Sequence, residues 1–446
     1  MNRIINIGIF STLFLNSTIL FKEPFEFYLS YIPILILLPF FMAQYTFPKK
    51  LLYILLPLLL VGLVNVYFQN NTIGEFLKIF INILISAMFF YYVFQYYDKD
   101  IKYVFGIYMK VSLWVCLLGL FQLFSYWIGF KYGYDFRTYG LNKWGVIQGG
   151  LGIRINSVFS EPSYFGASIS PAFFVSVINL LFRKQYFLNA FSSMIIIVTY
   201  VLTFSTVAFL GVFVALVLIL LNFGLVRYII FAIPLAIIIF NFMYNNAQEF
   251  KVRVDGLKSL YVDELLEKEG LQKGEHNPLK LQKLLKKIHG SSFVQYNNYV
   301  VATHNFMSNP LFGTGLGSHK VAFDKYNLLY KLGGIYKFNT ADANSMLLRL
   351  LSETGLFGLV FILLFIFRFF IKIPGELDDE NLYWLVSNAA LVMIILQLAR
   401  QGNYTYNGFF FYMWLYYFSF EQYNELPDES DQPASESAQV ISPVGQ

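Results

Sequence analysis

The stretch RINSVFSEPSYFG, residues 154–166, places an arginine and a carboxylate directly before a long apolar run. Ionisable groups beside hydrocarbon are costly, and those that occur there usually serve a function. Pro162 suits the first turn of a helix, because its missing N–H would have no partner there anyway. The stretch therefore predicts a membrane-spanning helix that begins near residue 162. We interpret Arg154 and Glu161, at the mouth of this helix, as candidates for anion binding and acid/base chemistry.

The composition of the whole chain is that of a multi-pass membrane protein. Of its 446 residues, 57% are hydrophobic and 13% are charged, and the mean hydropathy is +0.56. The single cysteine, Cys116, excludes a disulfide framework and a cysteine-based metal site. The four histidines lack metal-ligand spacing, so we expect neither a metal nor another cofactor. The net charge of +5 is scattered over loops, which argues against nucleic acid as a partner.

Apolar runs long enough to cross a bilayer, which takes about 17–25 helical residues, recur along the chain. The first run has no small-residue cleavage site, so we expect a retained span and not a signal peptide. The sequence predicts an all-α polytopic membrane protein with about 12 transmembrane helices. The predicted spans lie near residues 4–21, 28–46, 51–68, 76–96, 103–130, 163–182, 187–204, 205–222, 226–243, 345–371, 382–400 and 406–420.

The distribution of lysine and arginine over the short loops predicts the orientation of these spans. A cytoplasmic N-terminus places most basic loop residues inside, which also makes the C-terminus cytoplasmic. In the longer of two outer connections, residues 279–288 alternate leucine with lysine. This pattern fits an amphipathic helix on the membrane or a solvated helix packed over the bundle. The segments are N-terminal helices 1–130, an outer loop 131–160, central helices 161–244, a large, partly helical outer (periplasmic) loop 245–343, C-terminal helices 344–420 and a disordered tail 421–446.

Three patches, all on the predicted outer side, together resemble the bacterial O-antigen polymerase and ligase superfamily. The first is the opening stretch, with Glu-Pro-Ser at 161–163. The second, NPLFGTGLG at 309–317, is similar to the family turn Asn-Pro-Leu-x-Gly-x-Gly-x-Gly. In the third, Asn344-Ser345 is separated by nine residues from GLFG at 355–358, similar to the family pattern of His-Asn/Ser/Gln, nine residues and Gly-x-x-Gly. The likeness covers roughly residues 150–415.

Within this superfamily the residues resemble a Wzy-type polymerase more than a WaaL-type ligase. Glu-Pro-Ser after the arginine is polymerase-like, and ligases carry histidine at the position of Asn344. Asparagine cannot act as a general base, so any base must lie elsewhere in the chain. Thr203-Phe204-Ser205 resembles the family's Thr-x-Ser-Arg segment, although Thr206 replaces the arginine.

The resemblance implies a GT-C-like fold in the bacterial inner membrane and a defined chemistry. A glycan would pass from an undecaprenyl diphosphate carrier to a sugar hydroxyl, with neither sugar nucleotide nor metal. The product would be O-antigen, capsular polysaccharide or exopolysaccharide. Implied partners are the undecaprenyl-diphosphate-linked glycan, the lipid bilayer, a chain-length regulator and a flippase. An O-antigen ligase and a lipid-linked glycan flippase are the alternative functions; an alternating-access flippase would show two similar halves, and here the halves differ.

Charge building up on a diphosphate leaving group requires cations, and the guanidinium fork binds phosphate oxygens in pairs. Arg154 is the first candidate for this role, with Arg400 and Arg253 as helpers. Glu161 is the candidate general base, and Asp342 is the next carboxylate near the mouth.

Weaker candidates and structural alternatives accompany this assignment. Asn344 would contact the substrate, and His304 is a distant third choice as base. Arg154 and Glu161 could instead form a structural ion pair, and Arg400 could extend its charged end to the membrane interface. His304 could be an ordinary loop histidine.

Overall fold

The computed structural model describes residues 2–21, 27–139, 145–225, 290–327, 339–373 and 382–425, with a few isolated positions between 234 and 255. This part of the chain is mostly helical. The helices are α1 (Asn2–Phe14), α2 (Tyr31–Gln44), α3 (Lys49–Tyr67), α4 (Ile73–Tyr96), α5 (Ile101–Trp127), α6 (Lys131–Tyr134), α7 (Pro162–Phe182), α8 (Ala190–Leu202), α9 (Thr206–Asn222), α10 (Gly290–Ser308), α11 (His319–Tyr326), α12 (Met346–Arg368), α13 (Tyr383–Arg400) and α14 (Phe409–Asn424).

Among the described helices, six are long and apolar enough to cross a membrane: α3, α4, α5, α7, α12 and α13. Helices α1, α2, α8 and α9 are apolar but shorter. Strands are few and short in the described chain: β1 (Ile19–Phe21) pairs with β2 (Phe27–Tyr28), and β3 (Gln148–Gly149) pairs with β4 (Gly152–Ile153), both antiparallel. The protein is an all-α multi-pass membrane protein, as its composition predicted.

Local sequence signals place several helix ends correctly. Helix α7 begins at Pro162, with Glu161 as its N-cap residue. The predicted break between two central spans is also confirmed, because α8 ends at Leu202 and α9 begins at Thr206. Apart from 226–243, each predicted span overlaps a helix of the described chain. All but three positions of that span, and the whole of the predicted amphipathic helix at 279–288, lie outside the described residues.

The first predicted span, residues 4–21, is wrong in its second half. Helix α1 ends at Phe14, and the chain then enters the β1–β2 hairpin. The Asn16 side chain donates to the Leu13 carbonyl at 3.1 Å. The Ser17 hydroxyl accepts from the Ser160 backbone N–H at 3.0 Å. These polar residues therefore form specific contacts at the end of the bundle and do not continue a helix through hydrocarbon.

Three basic residues, Lys50, Lys99 and Arg368, lie around the end of α14. Lys50 at the start of α3 pairs with Glu421 near the end of α14, and the Gln422 side chain donates to the Lys99 carbonyl after α4. The Tyr97 hydroxyl donates to Asn6 at 2.7 Å, which places the start of α1 at this same end. Lys50, Lys99 and Arg368, which the orientation prediction places inside, therefore share one end of the bundle with the start of α1, and we call it the basic end.

Helices α7 and α13 form the centre of the bundle and are buried along most of their lengths. Small residues on α7 allow neighbouring backbones to approach closely. A Cβ atom added to Gly166, for example, would lie 3.2 Å from Cβ of Ala208 on α9. Phe173 of α7 stacks on Tyr200 of α8, with ring centroids 4.1 Å apart. Lys102 lies over the ring of Tyr383 at the start of α13, and Phe105 packs on Phe187 just after α7, so both contacts are near the start of α5 at the basic end. The start of α7, with Glu161, and the end of α13, with Arg400, therefore lie at the opposite end.

Candidate functional site

A polar cavity of about 340 Å³ lies at the end of the bundle opposite the basic end. It brings together Glu161 at the start of α7, Arg400 at the end of α13, and Asp342 and Asn344 directly before α12. We call it the Glu161 cavity. Its described lining residues are Glu161, Ser163, Tyr164, Val207, Val294, Asn339, Asp342, Asn344, Arg400, Gln401 and Gly402.

Two carboxylates of the Glu161 cavity are each held through one oxygen. Oε2 of Glu161 accepts from the Ser163 hydroxyl at 2.9 Å. Oδ1 of Asp342 accepts from the Asn344 backbone N–H at 3.1 Å and from the Asn339 amide at 3.0 Å. Within the described residues no metal-binding cluster of three His, Cys, Asp or Glu side chains occurs. The second oxygen of each carboxylate accepts no hydrogen bond from the described residues.

The turn that carries Asp342 and Asn344 has a tight backbone. Ala343 and Asn344 have φ angles of 55° and 54°, in the left-handed region that non-glycine residues rarely adopt. Gly402, after α13, packs directly against this turn, and a Cβ atom there would lie 1.4 Å from the Asp342 carbonyl oxygen. The absence of a side chain at Gly402 therefore lets the chain after Arg400 approach the Asp342 turn and close the cavity.

The other sequence candidates lie elsewhere. Nε of Arg154 is 3.4 Å from the Thr203 carbonyl oxygen at the end of α8, and Arg154 does not line the Glu161 cavity. Both Arg154 and Glu161 belong to the described chain, and no ion pair joins them. Nδ1 of His304 lies 2.8 Å from the Val300 carbonyl oxygen, and its ring stacks on Tyr326. Arg253 lies outside the described residues.

A buried charged group on α12 was missed by the sequence analysis. Nε of Arg349 donates to Oε1 of Glu353 at 2.9 Å, and the two side chains are only 2% and 0% exposed. The Tyr404 hydroxyl donates to Oε2 of Glu353 at 2.9 Å, and the Tyr404 ring lies 4.4 Å from the guanidinium. An arginine and a glutamate four residues apart in an apolar run are a recognisable signal, because ionisable residues inside spans are usually functional.

Helix α12 is broken at Gly355, two residues after Glu353. Gly355 has φ 60° and ψ −149°, a conformation open essentially to glycine alone. The freed carbonyls of Ser352 and Glu353 accept from the N–H groups of Thr314 and Gly315 at 3.3 and 2.7 Å. The freed N–H groups of the next turn, at residues 356 and 357, donate to carbonyls of residues 310 and 311 at 2.8 and 3.0 Å.

The break therefore joins two of the patches that the sequence analysis treated separately. In hydrocarbon every backbone polar group needs a partner, and the 309–317 turn supplies the partners that the broken helix lacks. Gly313 must be glycine for this approach, since a Cβ atom there would lie 2.4 Å from the Glu353 carbonyl carbon. The glycines of the two patches thus allow the 309–317 turn and the broken helix to form hydrogen bonds with each other. These hydrogen bonds fix the position of α12, and with it the position of Arg349.

His319 completes the surroundings of this buried group. Its backbone N–H donates to Glu353 at 3.4 Å, and its ring nitrogens lie 3.2 Å from the Ser352 hydroxyl and 3.0 Å from the Asn298 side-chain oxygen. Burial, and then the nearby positive charge of Arg349, lower the pKa of His319 to about 3. His319 is therefore neutral and holds α10, α11 and α12 together.

A search of protein-family models found none that matches this chain, and a search of curated proteins likewise found no match.

Proposed function

We propose that this protein is a metal-independent glycosyltransferase that joins lipid-linked oligosaccharide repeat units into a polysaccharide. The donor would be a glycan on undecaprenyl diphosphate, and the product O-antigen, capsule or exopolysaccharide. In this proposal the chain forms a GT-C-like bundle of about 12 spans in the bacterial inner membrane. The basic end faces the cytoplasm with both termini, and the Glu161 cavity opens on the outer face.

The observation that carries the proposal is the convergence of two carboxylates, an arginine and an asparagine in one cavity at the end of the bundle opposite the basic end. Reaction in this cavity requires a cation for the leaving diphosphate and a base for the acceptor hydroxyl. Arg400 supplies the cation within the cavity itself. Arg154 and Arg253 are proposed to assist, and His304 is kept as a substrate-side candidate outside the cavity.

The proposed reaction is a direct displacement at the anomeric carbon. The acceptor hydroxyl oxygen forms the new glycosidic bond while the bond between the anomeric carbon and the diphosphate oxygen breaks. The electron pair of that bond goes to the diphosphate, where the guanidinium of Arg400 stabilises the added charge. The hydroxyl proton passes to the oxygen of Glu161 that the Ser163 hydroxyl does not occupy, with Asp342 as the alternative acceptor.

Glycans from a strain lacking this gene distinguish the proposed polymerase from the ligase and flippase alternatives. We expect loss of long polymer with single repeat units still attached to their final acceptor, measured by mass spectrometry and gel electrophoresis. Loss of all attachment, with polymer accumulating on the lipid carrier, would instead identify a ligase. Accumulation of single lipid-linked units on the cytoplasmic face would identify a flippase.

A further inference from the structure

A second polar cavity, of about 520 Å³, adjoins the Glu161 cavity and has no role in the reaction described so far. Lys78 and Asn82, one turn apart on α4, line it together with Arg349 and Tyr404. We call it the Lys78 cavity. Asp342 lines both cavities, so this carboxylate lies at their junction.

Aromatic rings form another part of the wall between the two cavities. Tyr164 lines the Glu161 cavity and Tyr406 lines the Lys78 cavity, and their rings meet edge to face with centroids 5.6 Å apart. Tyr28 packs against Tyr406 from the Lys78 side at 5.4 Å and shares a hydrogen bond between the two hydroxyls. The two compartments are therefore adjacent, and each presents tyrosine rings on which a sugar can stack.

The Lys78 cavity is lined by two cations, Lys78 and Arg349, and by the carboxylate of Asp342. Lys78 is exposed and has no ion-pair or hydrogen-bond partner in the described structure. Arg349 is held through two nitrogens, Nε by Glu353 and Nη1 by the Gly402 carbonyl at 3.0 Å. Its Nη2 donates no hydrogen bond within the described chain. A guanidinium fixed in this way presents its remaining N–H groups at little entropic cost.

An apolar groove of about 550 Å³ continues from the same place. Tyr404 lines both the Lys78 cavity and this groove. From Tyr404 the groove follows apolar side chains of α3, α12 and α14, such as Leu55, Phe361 and Phe410, toward Lys50 at the basic end. A cationic compartment at one end of a long apolar groove fits an amphiphile with an anionic head and a long hydrocarbon tail.

We propose that the Lys78 cavity and the apolar groove bind a second lipid diphosphate, separate from the one at Arg400. This inference rests on the proposed function, because joining two lipid-linked glycans needs two places for a lipid diphosphate. The diphosphate lies between Lys78 and Arg349, and the polyprenyl tail lies in the groove. The attached glycan extends past the tyrosine wall toward Asp342 and the Glu161 cavity.

Native mass spectrometry of the full chain in detergent, with geranylgeranyl diphosphate as the probe, tests this inference. We expect the wild-type protein to bind two molecules. Lys78→Met should bind one, with the affinity of the second site lowered by about tenfold or more, because one charge-assisted contact is lost. Lys78→Arg should restore binding of the second molecule. Lys131→Met, an exposed lysine outside both cavities, is the matched control and should bind two.

Competition experiments distinguish a site for a lipid diphosphate from a site for diphosphate alone, for a prenyl chain alone or for any anionic lipid. Neither inorganic diphosphate, which lacks the tail, nor geranylgeraniol, which lacks the head, should displace the second molecule at equal concentration. Displacement by phosphatidylglycerol would overturn the assignment, since the site would then accept any anionic lipid. A single bound molecule in the wild type, or two in a folded Lys78→Met protein, would also overturn it.

This binding assay does not measure glycosyl transfer, so its result does not depend on whether the proposed function is correct. Lys78-dependent binding without any polymerisation would contradict the proposed function alone. Polymerisation by a protein that binds one lipid diphosphate would contradict this inference alone.

Discussion

Replacing Arg349 by methionine should destabilise the protein far more than replacing an exposed basic partner. Arg349 and Glu353 are 2% and 0% exposed, so the substitution leaves a carboxylate buried without its counter-charge. Among the described residues, only the Tyr404 hydroxyl and the His319 backbone N–H would still donate to Glu353. Breaking a buried pair from one side costs about 3–5 kcal/mol of unfolding free energy.

The matched control is the pair between Lys320 and Glu75, whose side chains are 47% and 22% exposed. Lys320→Met should cost about 0–1 kcal/mol, because water screens the pair and replaces its contacts. A double-mutant cycle of Arg349→Met with Glu353→Met should give a coupling energy above about 2 kcal/mol. The matching cycle of Lys320→Met with Glu75→Met should give a coupling energy below about 1 kcal/mol.

The free energies come from SDS titration of purified protein in mixed micelles, followed by circular dichroism. The comparison is made at one pH and one detergent composition for all variants. Equal losses for Arg349→Met and Lys320→Met would refute the reasoning, because the buried pair would then be solvated like the exposed one.

Three further predictions concern the groups around the two cavities. The free energy of unfolding should fall by about 1.4 kcal/mol between pH 7.5 and 5.5, because His319 stays neutral when folded but takes up a proton when unfolded below its ordinary pKa of about 6.5. SDS titrations at both pH values should show this loss in wild type and not in His319→Gln. Gly402→Ala should lower turnover about a hundredfold, because the added Cβ displaces the Asp342 turn. The control Gly74→Ala, whose added Cβ meets nothing within 4 Å, should not lower turnover. Equal turnover of the two folded proteins would show that the reaction tolerates displacement of the turn. Arg154→Lys should lose most polymerisation at normal expression, because one ammonium cannot reproduce two parallel hydrogen bonds. Near wild-type polymer would limit Arg154 to a structural or purely electrostatic role.

Much of the fold could be predicted, because the hydropathy of a local stretch of sequence is enough to identify a membrane span. Apolar runs of sufficient length located the helices, Pro162 marked the start of α7, and the polar residues near 204 marked the break before α9. The early end of α1 was not predicted, since the contacts of Asn16 and Ser17 that end it depend on tertiary neighbours. Hydropathy alone could not distinguish an apolar strand from the continuation of an apolar helix.

The residues of the candidate site could be chosen from the sequence, but their arrangement in space could not be predicted. Glu161, Asp342, Asn344 and Arg400 were chosen from three separate segments of the sequence, and the structure brings these four residues together in one cavity. The junction of the 309–317 turn with the broken helix depends on hydrogen bonds between segments distant in sequence. Spacing within a single segment carries no information about such pairs.

Chain elongation by the purified protein tests the central claim most directly. The substrate is the lipid-linked single-repeat glycan that accumulates in the deletion strain, and the readout is product length per folded protein. Wild-type protein should form long polymer without added metal or sugar nucleotide. Glu161→Gln should lower the rate about a hundred- to ten-thousand-fold. Glu421→Gln, the same change at the opposite end of the bundle, should elongate at the wild-type rate. Failure of the wild-type protein to extend the glycan, or a wild-type rate from Glu161→Gln, would contradict this account.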